Sequence, residues 1–437
     1  MAALAALTLG ASGVTSADPA IAQAIIPDLS AAQMLDVASQ AQQAGKLADA
    51  ETIYAALTKD PDIDVRSEAR FRLSQLLTGQ KRYVDAAIAL RAILDEKSDA
   101  QRVRLELARV LALMGDERGA FKVLRQASAG GLPPDVALVV KQFTNAFRSR
   151  KPLGASLELA LAPDSNINRS TNADTLDTIV APLQLSRDAR RQSGVGLKIG
   201  GQAYVRLPVA EGVRWLTRLS SQANLYRSSA FNDISGSAQT GVEWSKGRSV
   251  WSPSLGRTYR WYGGNLYAVT DTASLNWRRA LGVKAQLESD AAVGRSGYRL
   301  NALQSGTIYD FSVSYERALS MRSGGSVTLS TERQKAADPG YSTTSAGLGV
   351  AYWHELGQIT LFASANARRL EADARLLLFP RRRRETYWRL GAGATFRQIQ
   401  IAGFSPVLRA SHERNRSSVG IYDYGRNTVE FGISRAF

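Results

Sequence analysis

The chain has no cysteine, which removes disulfides, thiolate metal sites and cysteine nucleophiles together. Only two histidines, His354 and His412, are present, so an imidazole-rich metal centre is not expected. No run of about 18 consecutive apolar residues occurs, so no membrane-spanning helix is expected. A β-barrel remains open, because strands that alternate lipid-facing and lumen-facing residues average to moderate hydropathy. Also missing are a phosphate-binding glycine loop, a nucleophile elbow and metal-ligand spacing. The adjacent Ser411 and His412 would point to opposite faces of a strand and form no dyad. No cofactor, no metal and no enzymatic activity are therefore expected.

Lysine is scarce where charge is abundant. The net charge is +16. Up to Lys151, 19 Lys and Arg face 17 Asp and Glu; beyond it the ratio is 36 to 22, with 32 arginines and 4 lysines. Arginine suits bidentate pairing with phosphate and carboxylate. The run Arg381, Arg382, Arg383 and Arg384 is the densest local charge. In a strand count it falls in a long connection, where it would grip acidic lipopolysaccharide groups or a passing substrate, or simply be solvated. Nucleic acid is not expected as its partner.

Two periodicities divide the 437 residues. Residues 1–24 are Ala/Leu-rich and end in Ala22-Gln23-Ala24, the small-x-small pattern of a secretory signal, although the usual basic residues before the apolar core are missing. Residues 30–150 have helical spacing. Ala50, Ala86 and Ala120 recur at intervals of 36 and 34 residues, each followed four residues on by Tyr54, Leu90 or Leu124. Gly45 and Gly115 occupy equivalent turns, and Lys81 takes that place in the middle repeat. The interval matches tetratricopeptide repeats, whose stacked hairpins share a core and present a concave surface to an extended segment.

From residue 152 to 437 the period is two. In "VKAQLESDAAV" (283–293) Val283, Ala285 and Leu287 oppose Lys284, Gln286, Glu288 and Asp290. About fourteen such segments are separated by alternately long and short links, the asymmetry of an outer-membrane β-barrel with long external loops. Glu158, Lys284, Glu288, Asp290, Asp310, Glu316 and Glu430 would line a hydrated interior. All seven tryptophans fall within the strands, several near strand ends where interfacial girdles form. In the closing "NTVEFGISRAF", Val429, Phe431, Ile433 and Phe437 share one parity. That pattern fits a last strand pairing with the one near Ser156, so that no edge remains, and a signal read by the barrel-assembly machinery.

"SLELALAPDSNINRST" (156–171), where the first strand breaks into the SNIN turn, together with this ending, resembles the surface lipoprotein assembly modulator family. The resemblance implies a periplasmic tetratricopeptide domain, a fourteen-stranded outer-membrane barrel and a translocon that delivers lipoproteins, or in some branches soluble secreted proteins, to the cell surface. The helical domain would receive the client or its periplasmic chaperone. The competing expectations are a polysaccharide-export porin, whose lumen would favour aromatic platforms and carboxylates along the pore whereas the arginine surplus here favours a different cargo, and a passive receptor or adhesin.

Overall fold

A small residue followed one helical turn later by a larger one lets two helices approach and fills the space between them. The computed structural model, which describes residues 29–129, 153–396, 399 and 404–434, shows that packing three times over. Helices α1 (Ala31–Gln43) and α2 (Leu47–Leu57), α3 (Ile63–Gly79) and α4 (Tyr83–Glu96), and α5 (Gln101–Met114) and α6 (Glu117–Ala129) form three hairpins. Ala50, Tyr54, Ala86, Leu90, Ala120 and Leu124 are all between 0% and 4% exposed. The equivalent turns carry Gly45, Lys81 and Gly115, with φ of 77°, 62° and 87°. Lys81 thus holds a left-handed conformation that glycine adopts freely. A continuous apolar cluster runs from Phe71 to Leu124, and Leu73 joins it to a second cluster around Ala38, Ala50, Tyr54 and Leu76. Ser30 starts the array with a reciprocal capping box to Gln33.

Fourteen strands then close into an antiparallel barrel. They are β1 (Leu153–Asp164), β2 (Gly194–Ala210), β3 (Val213–Tyr226), β4 (Asp233–Lys246), β5 (Ser249–Tyr262), β6 (Asn265–Leu281), β7 (Ala285–Tyr298) and β8 (Gly306–Ala318), continuing with β9 (Ser323–Ala336), β10 (Thr343–Leu356), β11 (Ile359–Arg375), β12 (Arg382–Phe396), β13 (Ser405–Ser417) and β14 (Tyr424–Ser434). Each pairs with its chain neighbours, and β14 pairs with β1 through Leu159↔Ile433 and Leu161↔Phe431. The expected seam is present. Full closure leaves no unpaired edge, the condition for a sheet in lipid.

Short turns gather at the end that carries the helices; Gly212, Gly247, Gly282 and Gly357, all with positive φ, make four of them. Longer connections lie at the other, distal end, with Gly263–Gly264 as the expected short exception. Two boundary differences from the sequence reading move residues singled out there. β12 begins at Arg382, so only Arg381 of the arginine run lies in the connection. The four like residues carry no contrast of period two, which concealed the start of the strand. Lys284 lies in the turn before β7, not in the wall. The signal segment 1–24 and Phe437 lie outside the described residues.

Facing follows parity. Leu157, Leu219, Leu255, Phe311, Leu329, Leu348, Leu390 and Phe431 are all exposed on the outside of the barrel, a burial opposite to that of a water-soluble sheet and suited to lipid. Trp215, Trp244, Trp251 and Trp277 also point outward on neighbouring strands near the helical end. Trp244 pairs across to Trp251 and Trp251 to Trp277, the latter rings stacked at 5.5 Å. Near the distal end Trp261 stacks on Tyr259 at 5.9 Å. Trp353 is the exception: it points inward, under Lys122 of α6.

Candidate functional site: the lumen and its helical cap

The inward parity of the strands supplies a polar lumen, and the third helical hairpin sits across one mouth of it. Arg125 of α6 pairs with Glu316 of β8 at 2.5 Å, with the guanidinium side chain only 11% exposed. Next to it the Gln126 amide donates to Glu355 of β10 at 3.0 Å, and the Lys122 ammonium lies 4.9 Å from the Trp353 ring centre. On the opposite rim the Tyr204 hydroxyl of β2 donates to the Gly115 carbonyl at 3.1 Å. These contacts are polar. Such interfaces behave like transient ones, worth less than an apolar seam of equal size.

Beneath the cap lies a cavity of about 950 Å³ whose walls run from Lys81 and Arg82 of the α3–α4 turn and Tyr83 of α4 to Arg206 and Glu243, and on to Glu288 and Asp290. Arg206 and Glu243 pair at 2.6 Å and are nearly buried. Asn276 donates to both Glu288 and Asp290, at 2.9 and 2.7 Å. A second cavity of about 460 Å³ continues toward the distal end, lined by Glu158, Lys198, Arg389, Arg409 and Glu430. Lys198 bonds Glu430, and Arg409 bonds Glu158 and lies 3.7 Å from Glu430. The lumen is electrically uneven. Glu288, Asp290, Asp310 and Glu332 stand on β7 to β9, while Lys198, Arg389 and Arg409 stand on strands that the closed order places across from them.

The distal end of the seam is held by a buried ionic knot. Arg426 of β14 clamps Asp164 of β1 through two nitrogens, at 3.0 and 2.5 Å, and reaches Glu413 of β13 at 3.2 Å. All three are under 10% exposed. The SNIN turn follows directly: Asn166 is fully buried and its amide donates to Ser170 and Gly425 carbonyls at 2.8 and 3.0 Å. Asn168 reaches the Asp188 and Arg190 carbonyls in the same way. The motif stitches the first distal loop over the closing seam.

Of the residues singled out in the sequence, Glu158, Glu288, Asp290, Asp310, Glu316 and Glu430 all point into the barrel; the cavities reach Glu158, Glu288, Asp290 and Glu430, and Glu316 meets the cap. Val429, Phe431 and Ile433 lie on the outward face beside Leu159 and Leu408. The arginine run divides: Arg383 turns inward, 3.9 Å from the Tyr422 ring centre and 2.6 Å from Glu385, whereas Arg382 and Arg384 turn outward to Glu371. Ser411 points inward to Thr428 and His412 outward against Trp388, so they form no dyad. Lys122, Arg125 and Gln126 were not singled out, because the polar face of an amphipathic helix reads the same whether water or a rim covers it.

A closed fourteen-stranded barrel with an apolar outer face, aromatic rows and a polar interior is an outer-membrane barrel. A model of the family described as "Surface lipoprotein assembly modifier" matches residues 155–437. The chain belongs to that family. It is 22% identical over 373 residues to surface lipoprotein assembly modifier 1 of Haemophilus influenzae, covering 81% of this chain and 74% of that protein. To the protein of the same name from Neisseria meningitidis serogroup B it is 24% identical over 367 residues, 82% and 73% of the two chains. Among solved structures, the loop-L8 deletion of the Vibrio cholerae outer-membrane protein OmpT superposes loosely, with a TM-score of 0.38 at 10% identity over 65% of this chain and 99% of that one.

Proposed function

We propose that the protein is an outer-membrane translocon that passes lipoproteins, or soluble secreted proteins, through its barrel to the cell surface. In this reading the helical hairpins are a tetratricopeptide-type domain in the periplasm, where they take the client or its chaperone, and the distal loops face outward from the cell. The observation that carries it is the seating of α6 on the lumen rim through Arg125–Glu316 and Gln126–Glu355. In this reading a module that holds an extended segment stands at the entrance of a polar passage. The family membership supports a lipoprotein as the cargo.

The test is deletion of the gene with complementation, scored by protease shaving of intact cells and by staining of surface polysaccharide. The expected result is that one or more lipoproteins become protease-resistant and stay at the periplasmic face while polysaccharide is unchanged. Unchanged lipoprotein display, or loss of polysaccharide alone, would overturn the proposal.

A further inference from the structure

On the outside of the barrel, charge is densest on the distal third of β9 to β13; a smaller outward group, Arg257, Asp271 and Arg295, stands on β5 to β7 with Arg257 and Asp271 paired to each other. Arg333, Arg369, Arg382, Arg384, Arg414 and Arg416 share the outward parity on β9 to β13, against three carboxylates, Glu371, Asp373 and Asp423. Glu371 alone is shared by Arg369 at 3.2 Å, Arg382 at 3.3 Å and Arg384 at 4.0 Å. One carboxylate cannot saturate three guanidinium forks. The Arg369 and Arg384 side chains remain 70% and 60% exposed, with donors free to turn outward.

Position supplies the second constraint. Arg333, Thr344, Glu371 and Arg384 pair across the ladder in one row, with Tyr309 at its edge. Two outward positions along the strands, the next row but one carries Leu329, Leu348, Ala367 and Trp388. The arginines therefore border the apolar band directly, beyond an aromatic residue, at the depth where lipid headgroups begin. An arginine buried at the bilayer midplane is costly, and the cost falls to near zero at this level.

We infer that this face is a docking surface for a phosphate-bearing glycolipid of the outer leaflet, its acyl chains lying along Leu329 and Leu348 and its phosphates held by Arg369, Arg382 and Arg384. Guanidinium and phosphate match as planar, bidentate partners. The inference rests on the proposed orientation, with the distal loops outside the cell.

The experiment uses the full chain in detergent micelles, titrated with bis-phosphorylated lipid A and followed by native mass spectrometry. Wild type retains lipid A, the dephosphorylated form binds no better than phosphatidylethanolamine, and inorganic phosphate at the same concentration does not compete. The combined Arg369→Gln, Arg382→Gln and Arg384→Gln variant binds about tenfold more weakly, three exposed charge-assisted contacts having been removed. The matching Lys variant, which keeps charge but not the fork, falls in between, and heat-modifiable gel mobility reports that each barrel is folded. Equal binding by the Gln variant, equal binding of dephosphorylated lipid, or displacement by inorganic phosphate or an acidic peptide would overturn the inference. An epitope inserted between Val419 and Gly420 tests the orientation separately. Labelling on intact cells upholds it, and labelling only after permeabilisation defeats that reading whatever the lipid titration shows.

Discussion

Single residues set where this protein is held and where it yields. Arg426 is the clearest case, because it answers two buried carboxylates from neighbouring strands at the seam. Truncating one member of such a network strands the others without water. Arg426→Ala is expected to cost about 3 kcal/mol and to lower the temperature at which the barrel loses its compact mobility on heated gels; an unchanged transition would remove the knot from the account. In the helical domain, burial would raise the Glu96 carboxyl, but hydrogen bonds from Arg66 and Arg70 hold it below the ordinary glutamate value. A carboxyl depressed in the folded state stabilises above its unfolded pKa of about 4.3, and that contribution is lost as pH falls through the lower folded value. The helical melting temperature, read by circular dichroism of the full chain, should therefore fall below about pH 4.3. Glu96→Gln should flatten that dependence.

At the scale of elements, alternation does the sorting. Leu348 lies mid-strand on the lipid face of β10, and Leu348→Arg is expected to cost roughly 2 to 4 kcal/mol, whereas Thr344→Arg, on the same face near the distal end, should be nearly neutral. Folded barrel recovered from outer membranes distinguishes the two; equal yields would contradict the facing. The hairpin turns permit a gain as well. Lys81→Gly relieves a left-handed lysine with φ of 62° and should stabilise the helical domain by about 1 kcal/mol, seen as a higher helical melting temperature.

Legibility follows the same physics. The strands could be read because lipid and lumen impose contrast at every second residue, and the hairpins because Ala50, Ala86 and Ala120 sit at fixed intervals. Arg382 to Arg384 were misplaced because like residues show no alternation. Trp353 broke the girdle pattern because a cap, invisible in local sequence, lies above it. The Asp164–Arg426 pair joins positions 262 residues apart, and the SNIN turn pointed to its neighbourhood without revealing its chemistry.

For the whole molecule the account has one axis: helices at the entrance, a charged passage, distal loops at the exit. In the proposed translocon the cap is releasable, since a domain bound too firmly would close the proposed route. Arg125→Glu should break the rim contact and make cells leaky to large antibiotics, and adding Glu316→Arg should restore the barrier. Failure of the swap to restore it would show that the pair does not govern the mouth. The central claim is that the client crosses through the lumen. Photo-crosslinking in living cells tests it most directly, from Ser254, which lines the larger cavity, and from its neighbour Leu255, which faces outward at 66% exposure. The account predicts client adducts from position 254 and none from 255. Adducts from 255 alone, or from neither during active export, would contradict it.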